Sequence, residues 1–260
     1  MTIPRWTAQP AQNPAISRIP NRSAAAPGRE AMMMRKYRRS WQDDDGQIMQ
    51  DEQVGPALPL FESAFSAFAR GTLITTTRGP VAIEDLTPGT RLVTAEHGPM
   101  PVMWIGSMTL APAHDAQGFE PTILTRIMAD AFGIGRPMAD FLAGPGARIL
   151  TRPRNMRANI GGDHVLTPAR NLADGVQAIE IRPQRPVSFY HLCLRRHATI
   201  IANGLEAESF HPAPGFERTL GPNMLRLFMG LFPHIREPHQ FGTMAHLRLP
   251  LSSPEGLEIA

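Results

Sequence analysis

The stretch from Gly71 to Gly106, "GTLITTTRGPVAIEDLTPGTRLVTAEHGPMPVMWIG", constrains the fold most, because extension and turn alternate in it at short intervals. "GTLITTTRG" is a β-branched strand halted at Arg78-Gly79-Pro80. "VAIEDL" continues with Val81, Ile83 and Leu86 facing inward. "TPGT" supplies a turn in which Pro88 sets φ and Gly89 is free to take a positive one. "RLVTAEHG" is a third strand, and "PMPVMWIG" a fourth carrying Val102, Trp104 and Ile105. Strands this short and this closely spaced predict a mainly β fold in which the chain crosses itself repeatedly. The 26 prolines agree, since proline interrupts helices and favours turns and strand edges.

Further strands are expected in "ARILTRPR", "DHVLTPARNLAD", "VQAIEIRP" and "VSFYHLCLRRHATIIANGLEAESF". In the last of these, Phe189, His191, Cys193 and Arg195 share one face, and Tyr190, Leu192 and Leu194 the other. Residues 124–132 fit either a short helix or extended segments joined at glycines. Beyond Phe210, the apolar residues Leu225, Phe228, Met229 and Phe232 recur at helical spacing. They predict a short helix over Asn223–Phe232 that packs back on the β domain. The tail from Glu237 is expected to be loose. Residues 1–58 lack apolar periodicity and are expected to be a disordered arm, with basic "MRKYRRSW" followed by acidic "DDDGQIMQDE". The expected organisation is therefore the arm over 1–58, a β domain over 61–212 and an extension over 213–260 with a short helix.

Composition excludes several function classes. The formal charge is +3, and no basic patch interleaved with aromatics is present, so no nucleic-acid partner is expected. The single cysteine, Cys193, rules out an internal disulfide framework and a cysteine-based zinc cluster. The nine histidines fall at no metal-ligand spacing and no glycine-rich phosphate loop occurs, so neither metal nor cofactor is expected. No apolar run approaches the roughly 20 residues of a membrane span. The first residues do not form a secretory signal, making the cytoplasm the default, with export by a signal-independent route left open.

Three blocks in order carry a resemblance: the Gly71–Gly106 opening, "LTPARNLADG" from Leu166 to Gly175, and "YHLCLRRHATIIANGLEAESF" from Tyr190 to Phe210. Together they resemble the Hint domain shared by hedgehog proteins and inteins, in its bacterial form. The resemblance implies an interlaced all-β fold and descent from self-cleaving domains. In that family a cysteine or serine four residues before the Gly-Thr pair attacks the preceding carbonyl, which needs a side chain with a lone pair. Counting back from Gly71-Thr72 lands on Ala67. A later S/T-P-x-H block supplies a hydroxyl and a histidine that promote cleavage. Here it is Gly144-Pro145-Gly146-Ala147, so Gly144 stands for the hydroxyl residue and Ala147 for the histidine. In the last block Arg195 and Ala198 replace acidic residues, while His197 is retained.

The resemblance therefore implies a domain without catalysis, acting as a structural or interaction module. The alternative is slow autoproteolysis by an N–O acyl shift at Ser66, with His197 as base. A one-residue shift along a strand turns Ser66 to the opposite face from the family's nucleophile. Asn203 invites comparison with the asparagine that ends splicing, but Ala202 precedes it where a histidine is usual. Asn203-Gly204 is also a strong hairpin turn. Cys193 and His191 lie about 6.6 Å apart along a strand, too far for a nucleophile–base hydrogen bond. A protein partner bound through Arg35, Arg38 and Arg39 of the arm is a further expectation.

Overall fold

The structure, a computed structural model, describes residues 32–112, 122–152 and 164–250. It opens on a hairpin, β1 (Met34–Gln42) and β2 (Ile48–Pro56), paired over its whole length. A short helix, α1 (Pro59–Ser63), leads into β3 (Phe68–Ala69), β4 (Leu73–Thr76) and β5 (Gly79–Ala82). After β6 (Arg91–Leu92) comes the long β7 (Met100–Leu110), then β8 (Leu124–Ile127), β9 (Phe141–Ala143) and β10 (Arg148–Thr151). The second half holds β11 (Val165–Pro168), β12 (Ala178–Ile181), β13 (Val187–Leu194), β14 (Thr199–Ala202) and β15 (Leu205–Glu208). Helix α2 (Pro222–Met229) and β16 (Leu247–Arg248) close the described chain.

Early and late strands interleave, as the turn spacing implies. β13 pairs with β3 on one side and β7 on the other, and β14 pairs with both β4 and its hairpin partner β15. Residues 124–132 take the extended alternative, as β8 followed by turns. Two local expectations change. Residues Ile83–Asp85 form a 3₁₀ turn rather than continued strand, although Ile83 and Leu86 remain buried. "RLVTAEHG" keeps only the two residues of β6 in regular pairing.

Two apolar clusters fill the interior. One lies among the strands and includes Ala67, Phe68, Ile74, Val102, Phe141, Leu192 and Ile200. The other is aromatic, joining Tyr37, Phe61, Phe65, Trp104, Phe210, Phe228 and Phe232. Within it Phe65 meets Trp104 at 5.2 Å and Trp104 meets Phe232 at 4.8 Å between centroids. The Trp104 indole N–H donates to the Leu231 carbonyl at 2.9 Å. Helix α2 thus packs back on the β domain, with Phe228 fully buried and edge-on to Phe61 at 5.2 Å.

The expectation of a disordered arm over 1–58 is corrected for Met34–Pro56; residues 1–31 lie outside the described residues. Strand alternation puts Arg35, Tyr37, Arg39 and Trp41 on one face of β1. Tyr37 is fully buried, stacks on Phe65 at 4.5 Å and donates to the Pro56 carbonyl at 2.8 Å. The basic and acidic runs become cross-strand partners: Arg38 meets Glu52 at 3.1 Å and Arg39 meets Asp51. One buried tyrosine and a charge-matched register order a segment whose composition alone suggests disorder.

The loose tail is also corrected. After Glu237 a 3₁₀ turn over Pro238–Phe241 buries Phe241, and β16 adds to β11 in parallel, with Leu249 buried behind it. The last described residues therefore reach the strands that carry the candidate site.

Candidate functional site

Ser66 and Ala67 sit where the chain leaves α1 for β3, and neither is exposed. Backbone bonds hold the Ser66–Ala67 peptide from both sides. The Ala67 N–H donates to the Tyr190 carbonyl at 3.1 Å, and the Gly144 N–H donates to the Ala67 carbonyl at 2.9 Å. The Gly146 N–H donates to the Ser66 carbonyl at 3.0 Å. So the Gly144–Ala147 loop is pressed against residues 63–66. A Cβ on Gly144 would stand 2.1 Å from the Ser66 carbonyl oxygen, and one on Gly146 would stand 2.4 Å from that of Ser63. No side chain fits at either position without moving backbone.

The chemistry available there is narrow. Ala67 presents a methyl group, buried in the strand cluster. The Ser66 hydroxyl is buried and has no hydrogen-bond partner, so no base is placed to take its proton. The nearby imidazole of His191 faces the Ser63 carbonyl at 2.9 Å through Nδ1 and the Glu208 carbonyl at 3.3 Å through Nε2. Burial lowers its pKa to about 4, against hydrogen bonding that favours the charged form.

His197 lies in a different setting. Its Nε2 is 2.9 Å from Glu208 Oε1, and its Nδ1 accepts the Ala245 N–H at 2.9 Å. With Nδ1 accepting, the ring proton is on Nε2 and is donated to the carboxylate. Glu208 is almost fully buried and also takes Arg248 Nε at 2.8 Å, with Arg148 Nε at 3.8 Å. Burial alone would push the Glu208 carboxyl up, but His197 and Arg248 outweigh it and hold it below the usual range. His211 adjoins the cluster through ring contact with His197 at 5.4 Å, and burial lowers its pKa to about 4.

Of the sequence candidates, Ser66 and His197 are not brought together. Both His197 nitrogens are engaged elsewhere, with Glu208 and Ala245. Asn203 occupies the β14–β15 turn at φ 47°, its Oδ1 accepting the Leu73 N–H at 2.7 Å. The turn reading of Asn203-Gly204 thus describes its geometry. Cys193 is buried in the aromatic cluster and burial pushes its thiol pKa up. Arg35, Arg38 and Arg39 are paired with Glu62, Glu52 and Asp51. Sequence reasoning passed over Glu208 and Arg248. The signal available was an acid in "LEAESF", inside a strand whose neighbours are apolar or small. Among the described residues no histidine, cysteine or carboxylate group is arranged to hold a metal ion, and no helix is long and apolar enough to cross a membrane.

Early and late strands thus pair around one buried segment in an interlaced, mainly β fold. The Hint domain family model matches residues 66–214, more than half of the 260 residues, and the chain belongs to that family. Solved structures similar to it include a splice-inactive variant of a class 3 split intein, at 10% identity and TM-score 0.36. A bacterial intein-like domain from Clostridium thermocellum has 15% identity and TM-score 0.33. A DnaB intein from Synechocystis has 14% identity and TM-score 0.33. Each comparison covers 56% of this chain and 99% of the other. No match was found among curated proteins.

Proposed function

We propose that this chain is a Hint domain that does not cleave itself and serves as a structural or interaction module. The carrying observation is the geometry at Gly144. The family's hydroxyl residue would need a Cβ there, and that atom would lie 2.1 Å from the carbonyl oxygen of Ser66. The methyl of Ala67 and that of Ala147 stand where the family has its nucleophile and its histidine, so attack, polarisation and proton transfer all lack their groups. The fold does not depend on those groups, because backbone bonds from Gly144 and Gly146 hold the segment.

The alternative, an N–O acyl shift by Ser66 onto the Phe65 carbonyl, has the buried unpartnered hydroxyl in its favour. Against it stands the lack of a base on that hydroxyl. An intact-mass time course of the purified full chain separates the two. The module reading expects one unchanged mass over days at neutral pH, with or without hydroxylamine. Fragments ending at Phe65 that vanish in Ser66→Ala would establish autoproteolysis instead.

A further inference from the structure

The last described residues behave as a ligand bound by its own chain. Leu247 and Arg248 are extended, and main-chain contacts flank them from Ala245 to Pro250. The Ala245 N–H reaches His197 Nδ1 at 2.9 Å, and the Leu249 N–H reaches the Leu166 carbonyl at 3.0 Å. Arg148 donates to the Leu249 carbonyl at 2.8 Å, and Asn171 to the Pro250 carbonyl at 3.1 Å. Strand addition along β11 sets the register, with Val165 opposite Leu247 and Leu166 opposite Arg248. Backbone pairing along a sheet edge with side-chain pockets for selectivity is how folded domains take up extended peptides.

Two side chains supply the selectivity. Arg248 sends its guanidinium to the buried Glu208 carboxylate at 2.8 Å and to the His211 carbonyl at 2.6 Å. Leu249 is buried, while Leu247, just before these two anchors, is 61% exposed. His246 adds an ion pair with Glu96 at 2.7 Å. The connection to the body runs through Gly242, whose carbonyl faces His211 Nε2 at 3.1 Å and whose N–H donates to the His239 carbonyl at 3.1 Å. Gly242 and Thr243 are exposed, and a cavity of about 440 Å³ opens between Gly242–Ala245 and the residues Glu96, Arg195 and His197.

We infer that the groove formed by β11, Arg148, His197 and Glu208 is a recognition site for an extended Leu-Arg-Leu segment, filled here in cis and exchangeable with the same segment of a second copy of this chain. Identity of sequence carries the choice of occupant. A second copy's segment would make every contact described from Ala245 onward, so exchange alters the linker at Gly242–Thr243, including the contact between the Gly242 carbonyl and His211. The inference does not depend on whether the domain cleaves itself, since any such cleavage would appear as a mass change near residue 66.

The test uses the full chain with a protease site inserted between Gly242 and Thr243, cut after folding. A fluorescent peptide of residues 243–250 is then added. The expected result is replacement of the cut segment at one peptide per chain, with affinity at least tenfold weaker for the Arg248→Ala peptide. Release of the cut segment without peptide uptake, retention without exchange, or equal binding of the Arg248→Ala peptide would each overturn the site. Because the altered residue lies in the peptide, the result does not rest on a protein variant folding. For the second-copy occupant, two differently tagged full chains are mixed at high concentration and captured on one tag. Co-capture that disappears when both carry Arg248→Ala is expected; its absence overturns exchange between copies.

Discussion

Two buried places in this molecule solve opposite problems. Around Ser66–Ala67 the side chains contribute almost nothing polar. Ala67, Gly144, Gly146 and Ala147 offer no functional group, the Ser66 hydroxyl is unpartnered, and main-chain bonds maintain the geometry. Around Glu208 the reverse holds: His197, Arg248 and Arg148 converge on one buried carboxylate, and the described end of the chain is tied to it. On the proposed reading, a backbone-held site loses its chemistry while keeping its shape. A site built on mutually dependent charges loses stability when any one of them is removed, because the others stay buried and unpaired.

The sharpest way to break this contrast is to empty the second place. Glu208→Ala is expected to cost about 3–5 kcal/mol, the range for breaking a buried ion pair by removing one partner. Urea unfolding of the full chain measures it. A loss similar to that of an exposed pair, below about 1 kcal/mol, would mean the cluster is not what holds the tail.

Acid should separate the two places next. His191 and His211 keep their rings uncharged in the fold to about pH 4, because burial disfavours the charged form, whereas the unfolded chain takes up protons near 6.5. The unfolded state thus binds more protons between those values, and stability falls as pH drops from 6.5 toward 4. Glu208 acts in the same direction lower down: its contribution is complete above its ordinary pKa of 4.5 and disappears as pH falls through its depressed folded value. Urea midpoints recorded from pH 7.5 to 4.5 should decline. His211→Gln, which removes the titrating ring facing His197, Glu208 and Arg248, should flatten part of that decline. An unchanged slope would assign the acid sensitivity elsewhere.

At the first place the largest single effect is expected from Gly144→Thr. Its Cβ meets the Ser66 carbonyl oxygen and the Phe189 ring, so the loop must shift, at about 1–3 kcal/mol as for other overpacked sites. Full stability in this variant would mean that the loop can accept a hydroxyl residue after all.

The parts of this picture visible in the sequence are those set by local chemistry. Turn residues at Pro88-Gly89 and Asn203-Gly204 and the β-branched runs between them point to an interlaced β fold. The helical spacing of Leu225, Phe228, Met229 and Phe232 points to α2. The missed elements depend on distant partners. The β1–β2 hairpin is ordered by Tyr37 against Phe65 and by charges that pair only in register, and β16 exists because β11 offers it an edge. The same division holds for the candidate site. Ala67, Gly144 and Ala147 are singled out in the sequence by counting from the Gly-Thr pair and the proline. Glu208 and Arg248 stand forty residues apart and become a pair only in three dimensions.

The smallest expected effect sharpens the comparison most. Ala67→Cys places a sulfur where the resemblance puts the family's nucleophile, at a fully buried position, at about 1 kcal/mol. Apolar burial raises a thiol's pKa, and Gly144 and Ala147 supply neither a base nor a proton for the departing amide. Intact mass in the presence of a reducing thiol should remain that of the whole chain over days. Cleavage at the Ser66–Cys bond would mean the backbone alone still poises that carbonyl for attack. The first place would then be an active site missing one atom, and its contrast with the Glu208 cluster would reduce to the identity of residue 67.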